Sequence, residues 1–266
     1  MTRRFLRSLS LSCCSLLLLA GFSTTTREAA AVVIVAESFD RTDGFEMAGA
    51  TPNVANLQGG VFTAQTNRGG YLVSNNTLKF GPDHSLSVPL GSYYTGDLSL
   101  SADLSRGNLG NSGDFNRGVA LGFNASPTGS WNVTFTGLRL TNSSTLAFQS
   151  GNSVKASVSV TTSSNTFYSL SYDVNVDTGV ISTISLGGSG NSSVDFSPIY
   201  AASQSTNYFA GSPNLSVFAG GSAAGQYGYV DNLSLSNTTA VPEPSTVAML
   251  AIAGGIATAA ARRRRK

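Results

Sequence analysis

Leu98-Ser99-Leu100-Ser101-Ala102-Asp103-Leu104 alternates apolar and polar side chains at every step, and the same period recurs through most of the chain. Val154-Lys155-Ala156-Ser157-Val158-Ser159-Val160, Leu170-Ser171-Tyr172-Asp173-Val174-Asn175-Val176 and Asn232-Leu233-Ser234-Leu235-Ser236 repeat it. Trp131-Asn132-Val133-Thr134-Phe135 and Val119-Ala120-Leu121-Gly122-Phe123 fit it too. A period of two turns successive side chains to opposite faces, so each run predicts a strand with one face in a core and one in water. The wet face is mostly Ser, Thr and Asn. Asp177-Thr178-Gly179, between two such runs, predicts a hairpin turn with Gly at the positive-φ position. No segment of the core carries a helical apolar stripe of useful length.

About a dozen short strands in one unit, residues 37–236, predict an all-β fold, an antiparallel β-sandwich. Both cysteines, Cys13 and Cys14, lie in the N-terminal leader described below, so no disulfide is available to this core. Burial and hydrogen bonding have to hold it. The size and the closing run Gly228-Tyr229-Val230-Asp231-Asn232-Leu233-Ser234-Leu235 resemble the concanavalin-like (laminin G-like) jelly rolls. That resemblance implies that the first strand, Glu37-Ser38-Phe39-Asp40, lies beside the last.

The C-terminus reads as an address. Val241-Pro242-Glu243-Pro244-Ser245 is followed by the apolar stretch Thr246 to Ala261 and then by Arg262-Arg263-Arg264-Arg265-Lys266. As a helix the apolar stretch reaches roughly 24 Å, a short transmembrane span that snorkelling Arg and Lys side chains extend. Five terminal cations keep that end cytoplasmic and everything before Val241 outside. Pro242 and Pro244 hold Glu243 extended, in a form a processing enzyme can grip. Motif, span and cations, in this order, resemble the PEP-CTERM sorting signal of bacterial export. The resemblance implies that an exosortase, a membrane enzyme, recognises Pro242, Glu243 and Pro244 and releases or transfers the outer domain.

The N-terminus agrees with export. Arg3, Arg4 and Arg7 precede the apolar run Leu9 to Phe22, and Ala29-Ala30-Ala31 offers a small-residue cleavage site. Residues 1–31 therefore read as a signal peptide for the secretion machinery, with Ala36 a second plausible cut.

Removing both ends inverts the charge. The whole chain carries +2, but from Glu37 to Ala240 seven cations face twelve carboxylates, which leaves −5. A mildly acidic exported domain has no basic footprint for nucleic acid.

Chemistry-bearing residues are few. The core has two glutamates, Glu37 and Glu46, and neither begins the paired-carboxylate spacing of jelly-roll glycosidases. Asp173 and Asp177 are four apart, roughly 13 Å along a strand, too far for an acid–nucleophile pair. His84, the single histidine, sits in Gly81-Pro82-Asp83-His84-Ser85, which reads as a turn with a solvated or capping imidazole. No catalytic residue and no cofactor are expected, and the chain is expected not to be an enzyme. Glu37, Asp40 and Asp231 are candidates for a structural Ca²⁺ if first and last strands adjoin, the alternative being that Asp40 and Asp231 cap turns. Without Cys and with one His, no transition-metal site is expected. Tyr93-Tyr94 and Tyr227/Tyr229 are candidates for a sugar-stacking platform. Tyr229, however, shares phase with Leu233 and Leu235, which predicts buried or rim aromatics instead.

Two functions remain: a non-catalytic surface or extracellular-matrix protein, or a lectin-like module that binds exopolysaccharide. An aromatic-and-Asn-lined groove on one sheet face separates them. The tail itself generates a prediction. Intact-mass measurement of the surface protein in its native host is expected to show a mature form without Arg262 to Lys266; retention of that run throughout the mature population overturns it.

Overall fold

The computed structural model describes residues 31–57, 60–65, 71–81, 84–109, 117–126, 134–141, 144–220 and 226–238. The sorting motif Pro242-Glu243-Pro244, the span 246–261, the cations Arg262 to Lys266 and the signal peptide 1–31, except Ala31, lie outside the described residues. Among the described residues no helix is long and apolar enough to cross a membrane.

Alternation becomes two antiparallel sheets. The first contains β1 (Val32–Glu37), β2 (Val54–Ala55), β4 (Tyr71–Ser74), β5 (Thr77–Phe80), β7 (Asp97–Ser105), β12 (Tyr168–Asn175), β13 (Val180–Leu186) and β15 (Gly228–Asn237). Its order is β13-β12-β7-β15-β1-β2, with β5 pairing β15 and β4 pairing β5. The second contains β3 (Thr63–Gln65), β6 (His84–Pro89), β8 (Gly118–Asn124), β9 (Phe135–Thr141), β10 (Thr145–Ser150), β11 (Ser153–Ser159) and β14 (Asn214–Gly220), in the order β11-β10-β9-β8-β14-β6-β3. First and last strands pair, Val35 opposite Leu235 and Glu37 opposite Leu233, but the first strand is Val32–Glu37 and not Glu37 to Asp40 as expected: at Phe39 the backbone turns into the left-handed region (φ +54°) and leaves the sheet.

Between the sheets Leu98, Leu100 and Leu104 of β7, and Leu170 and Val174 of β12, pack against Leu121, Leu138 and Val217 of the other layer in one core. Tyr172 also lies there, fully buried, and its hydroxyl donates to the Leu121 carbonyl of the opposite sheet (3.1 Å). Burial pushes that hydroxyl well above the ordinary tyrosine pKa, with Tyr94 adding to the effect. The Asp177 turn forms as expected: Gly179 has φ +82° and its N–H donates to the Asn175 carbonyl (2.7 Å).

Three further expectations are corrected. β8, read as half-wet, is buried at every position, as are β9 and β14. Their faces turned from the main core carry Ala120, Phe135 and Phe218, the two rings meeting edge to face at 4.7 Å, beside buried Thr141 and Ser216. His84 is not in a solvated turn. It opens β6 opposite Ala219, in phase with Leu86 and Val88, and is wholly buried. The core also contains a helix, α1 (Ser197–Gln204). Two turns with Ile199 as the deeply buried apolar side chain are too short to print a stripe on the sequence.

Helix α1 settles an edge problem. It packs against β11 and β13, the outermost strands on one side of the two sheets. An edge strand carries unpaired N–H groups that invite another chain. Here the Ile181 N–H donates to Ser203 Oγ (3.0 Å) and the Ile184 N–H to the Tyr200 hydroxyl (2.9 Å), so two side chains of α1 stand in for a missing strand. Ser203→Ala leaves the Ile181 N–H buried without that acceptor and is expected to cost about 1–3 kcal/mol. Urea unfolding measures the loss, and light scattering of the Ser203→Ala, Tyr200→Phe double variant is expected to report self-association through β13.

Candidate functional site: an aromatic cleft on the eight-stranded sheet

The last strand is not continuous. Along β7 the register runs Tyr229 opposite Ser105 and Asp231 opposite Asp103, then resumes with Ser234 opposite Ser101, so β15 carries one extra residue. The extra residue sits at Asn232, exposed and in the left-handed region at φ +49°. Asn tolerates that conformation better than most side chains. Its N–H donates to Asp231 Oδ1 and its amide to Asp103 Oδ2, both at 2.8 Å. One inserted residue reverses the phase of everything before it. Val230, Leu233 and Leu235 are buried, while Tyr229 and Asp231 turn to the outer face. Tyr229 therefore does not share phase with Leu233, and the expectation that it does is corrected; it is half-buried on the outer face.

Tyr229 forms the floor of a cleft of about 260 Å³ together with Ser105. One wall is the β4–β5 hairpin, with Ser74, Asn75 and Thr77; the other carries Asn165 and Phe167. The hairpin turn is Asn75-Asn76, both residues at positive φ (53° and 56°), the two-residue form that matches strand twist. Asp43 holds it by accepting the Asn75 N–H (2.8 Å). The opposite wall is anchored where the Ser163 N–H donates to the Tyr168 hydroxyl (2.7 Å) and the Thr161 N–H to Asn191 Oδ1 (2.7 Å). Phe167 is 41% exposed, and its ring lies 6.5 Å from that of Tyr229 at 59°. Gly107 lets the chain pass this close: a Cβ there meets the Tyr227 carbonyl at 2.2 Å and the Tyr229 ring at 2.8 Å. Lys79, opposite Tyr229 on β5, places its ammonium 3.9 Å from the centre of the Tyr227 ring.

Two residues along, Asp103 and Asp231 face each other across β7 and β15. Like charges directly opposite are unfavourable. Partial burial first, then Asp103 and Asp40, raise the Asp231 carboxyl above its usual value, against the Asn232 N–H that lowers it. Asp103 accepts hydrogen bonds from Ser169 Oγ and the Asn232 amide. Sequence reasoning missed this pair, because the residues stand on strands far apart in the chain.

The other candidates fall into structural roles. Glu37 is buried and saturated: Oε1 accepts from the Phe39 N–H (2.9 Å) and Arg41 Nε (3.3 Å), Oε2 from Arg41 Nη2 (2.7 Å) and the Asn53 N–H (3.1 Å). It is therefore committed to Arg41 and not free for the Ca²⁺ set with Asp40 and Asp231. Among the described residues no group of three or more His, Cys, Asp or Glu side chains is placed to hold a metal ion. Asp173 Oδ2 accepts from Thr183 Oγ1 (2.6 Å), and Asp177 Oδ2 from the Gly96 N–H (2.9 Å), each tying a strand or turn to its neighbour. Tyr94 is turned inward, its ring edge to face with Phe123 at 5.2 Å and its hydroxyl donating to the Phe209 carbonyl. Burial, then Asp177, raises its pKa. Tyr93 lines a separate cleft of about 430 Å³ with Asn56, Leu57 and Leu90, so the two tyrosines form no common platform.

A raised carboxyl pKa means that the folded state binds the proton more tightly than the unfolded chain. The stability this gives is present below the unfolded value near 3.9 and is lost as pH rises through the folded one. Asp231→Asn is therefore expected to raise Tm at pH 7, with the gain closing below about pH 3.9. A Tm at or below that of the parent at pH 7 contradicts the like-charge account.

No curated protein matches this sequence. Among solved structures the chain is similar to the metal-free exoplasmic/lumenal domain of VIP36, at 11% identity and TM-score 0.45, covering 80% of this chain and 92% of that one. It is also similar to the cellulose induced protein Cip1, at 15% identity and TM-score 0.41, covering 78% and 98%. A sialidase is matched at 13% identity and TM-score 0.42 over 66% of this chain, which spans only 17% of the sialidase. Residues 240–265 match the model of the PEP-CTERM protein-sorting motif. The chain thus carries a PEP-CTERM protein-sorting motif at its C-terminus, the signal of an exported, exosortase-sorted protein.

Proposed function

We propose that this is a non-catalytic surface or extracellular-matrix protein whose sandwich, a concanavalin-like jelly roll, binds exopolysaccharide through the cleft between Asn75 and Asn165. The pairing of β1 with β15 supports the jelly-roll topology. In the same reading residues 1–31 are the signal peptide, cut before Val32 so that β1 stays whole. The exported core, expected over residues 37–236, then takes in β1 from Val32 as well, and residues 241–266 are the sorting segment. The span 246–261 holds the chain in the membrane, Arg262, Arg263, Arg264, Arg265 and Lys266 orient it, and the exosortase reads Pro242, Glu243 and Pro244.

One observation carries the binding function: an exposed Phe167 set against Tyr229, flanked by Asn75 and Asn165. A sugar ring has apolar C–H faces and a hydroxyl rim. An aromatic face covers the first, while amides and carboxylates satisfy the second. Ser/Thr-covered sheet offers only the rim chemistry. The −5 balance of the core disfavours nucleic acid as a partner. The non-catalytic part is supported by the commitments of the carboxylates, since Glu37, Asp173 and Asp177 are each occupied by structural donors.

A glycan array on the full-length protein tests it. Phe167→Ser and Tyr229→Ser are each expected to lower affinity at least tenfold, about 1.4 kcal/mol. Asp173→Asn, Asp177→Asn and Asp231→Asn are expected to neither create nor abolish hydrolysis of any bound glycan. Absence of glycan binding overturns the function, and a hydrolytic activity lost in any of the three Asp variants overturns its non-catalytic part.

A further inference from the structure

The outer face of the eight-stranded sheet has an order that the cleft alone does not exhaust. Ser105 of β7, Tyr229 of β15, Lys79 of β5 and Leu72 of β4 are successive register partners, a single row perpendicular to the strands. Phe167 stands immediately before the β12–β7 ladder, which begins at Tyr168 opposite Leu104, and so extends the row at one end. Its two ends, Phe167 and Leu72, are large hydrophobics exposed at 41% and 42%. With strands about 4.8 Å apart, the four steps from β12 to β4 span about 19 Å. That is several times the width of one pyranose ring. A site for a single sugar uses the Phe167–Tyr229 end and leaves Leu72, in the same row, uncontacted.

We propose that the row is an extended binding path for a neutral polysaccharide whose chain runs across the strands, with Leu72 as a second apolar contact remote from the Phe167–Tyr229 cleft. This rests on the glycan-binding function proposed above. Alternating chemistry along the path suits a polymer of sugars: ring at Phe167 and Tyr229, ammonium donor at Lys79, apolar end at Leu72, while Ser105 lies buried in the row with its hydroxyl accepting the Gly107 N–H (3.3 Å). Charge decides between neutral and acidic glycans. The adjacent row carries Asp103 and Asp231, opposite each other, within a core of net charge −5, while the ammonium of Lys79 rests on the Tyr227 ring. A polyanion meets repulsion from the Asp103–Asp231 row and from the acidic core, against the single ammonium of Lys79.

The experiment uses the full-length protein and the native host's own surface polysaccharide, separated into neutral and acidic fractions and cut by partial acid hydrolysis into size ladders. Affinity for the neutral ladder is expected to rise at least tenfold from one or two units to five or six. Leu72→Ser, a surface change, is expected to erase that rise while leaving the shortest oligomers unaffected; Phe167→Ser is expected to weaken every length. If the parent binds all lengths equally, or Leu72→Ser leaves the ladder unchanged, the extended path is overturned and the cleft remains a single-sugar site. Preference for the acidic ladder overturns the neutral assignment. Absence of binding at every length in both ladders overturns the glycan function itself, and the path with it.

Discussion

Strand β15 holds the molecule together by pairing on both sides at once. Along one flank it follows β7 from Tyr229 to Asn237; along the other it meets β5 first and β1 afterwards. The last strand therefore joins the first strand, the early hairpin and the middle of the chain into one sheet. No disulfide is available among the described residues to do this, so backbone hydrogen bonds and apolar burial carry the closure. Such long-range closure is entropically costly until the strand is seated, so the sandwich is expected to gain most of its order together.

The bulge in that strand links stability to the site. A regular β15 would keep Tyr229 and Asp231 on the core side with Leu233 and Leu235. Asn232, left-handed and hydrogen-bonded to both Asp231 and Asp103, turns them outward. Two consequences follow from one residue. An aromatic floor becomes available beside Phe167, and two carboxylates are set opposite each other where cross-strand pairing disfavours them. Local costs of this kind concentrate where a surface is used.

Covering of edges accounts for the remaining irregular parts. On one side α1 satisfies β13 through Ser203 and Tyr200. At the other side the segment after β1 is pinned by the pair of buried Glu37 and half-buried Arg41, with Arg41 also donating to the Thr51 carbonyl (2.7 Å). Breaking one partner of a buried pair strands the other charge, which makes Glu37 a structural residue despite its place among the few glutamates.

Period-two alternation was legible as strands because one face of each of β7 and β12 is wet, so the pattern is written residue by residue. Leu98 to Leu104 and Leu170 to Val176 fall where they are expected. The Asp177 turn was legible for a local reason, Gly179 at positive φ. Asn75-Asn76 between apolar runs carries a comparable local hairpin signal, both residues being at positive φ. The tail was legible because an address is linear: motif, span and cations act in sequence order and need no fold. The site was not. Its floor, walls and acidic pair come from β4, β5, β7, β15 and the segment before β12, brought together only by register. Moreover, the phase of Tyr229 turns on one inserted residue, Asn232, which leaves the composition of the strand unchanged. Sequence by itself determined the period, the polarity and the destination. Tertiary pairing decided which side of the sheet each side chain serves, because a bulge is defined by the partner strand it mismatches and not by the strand that carries it.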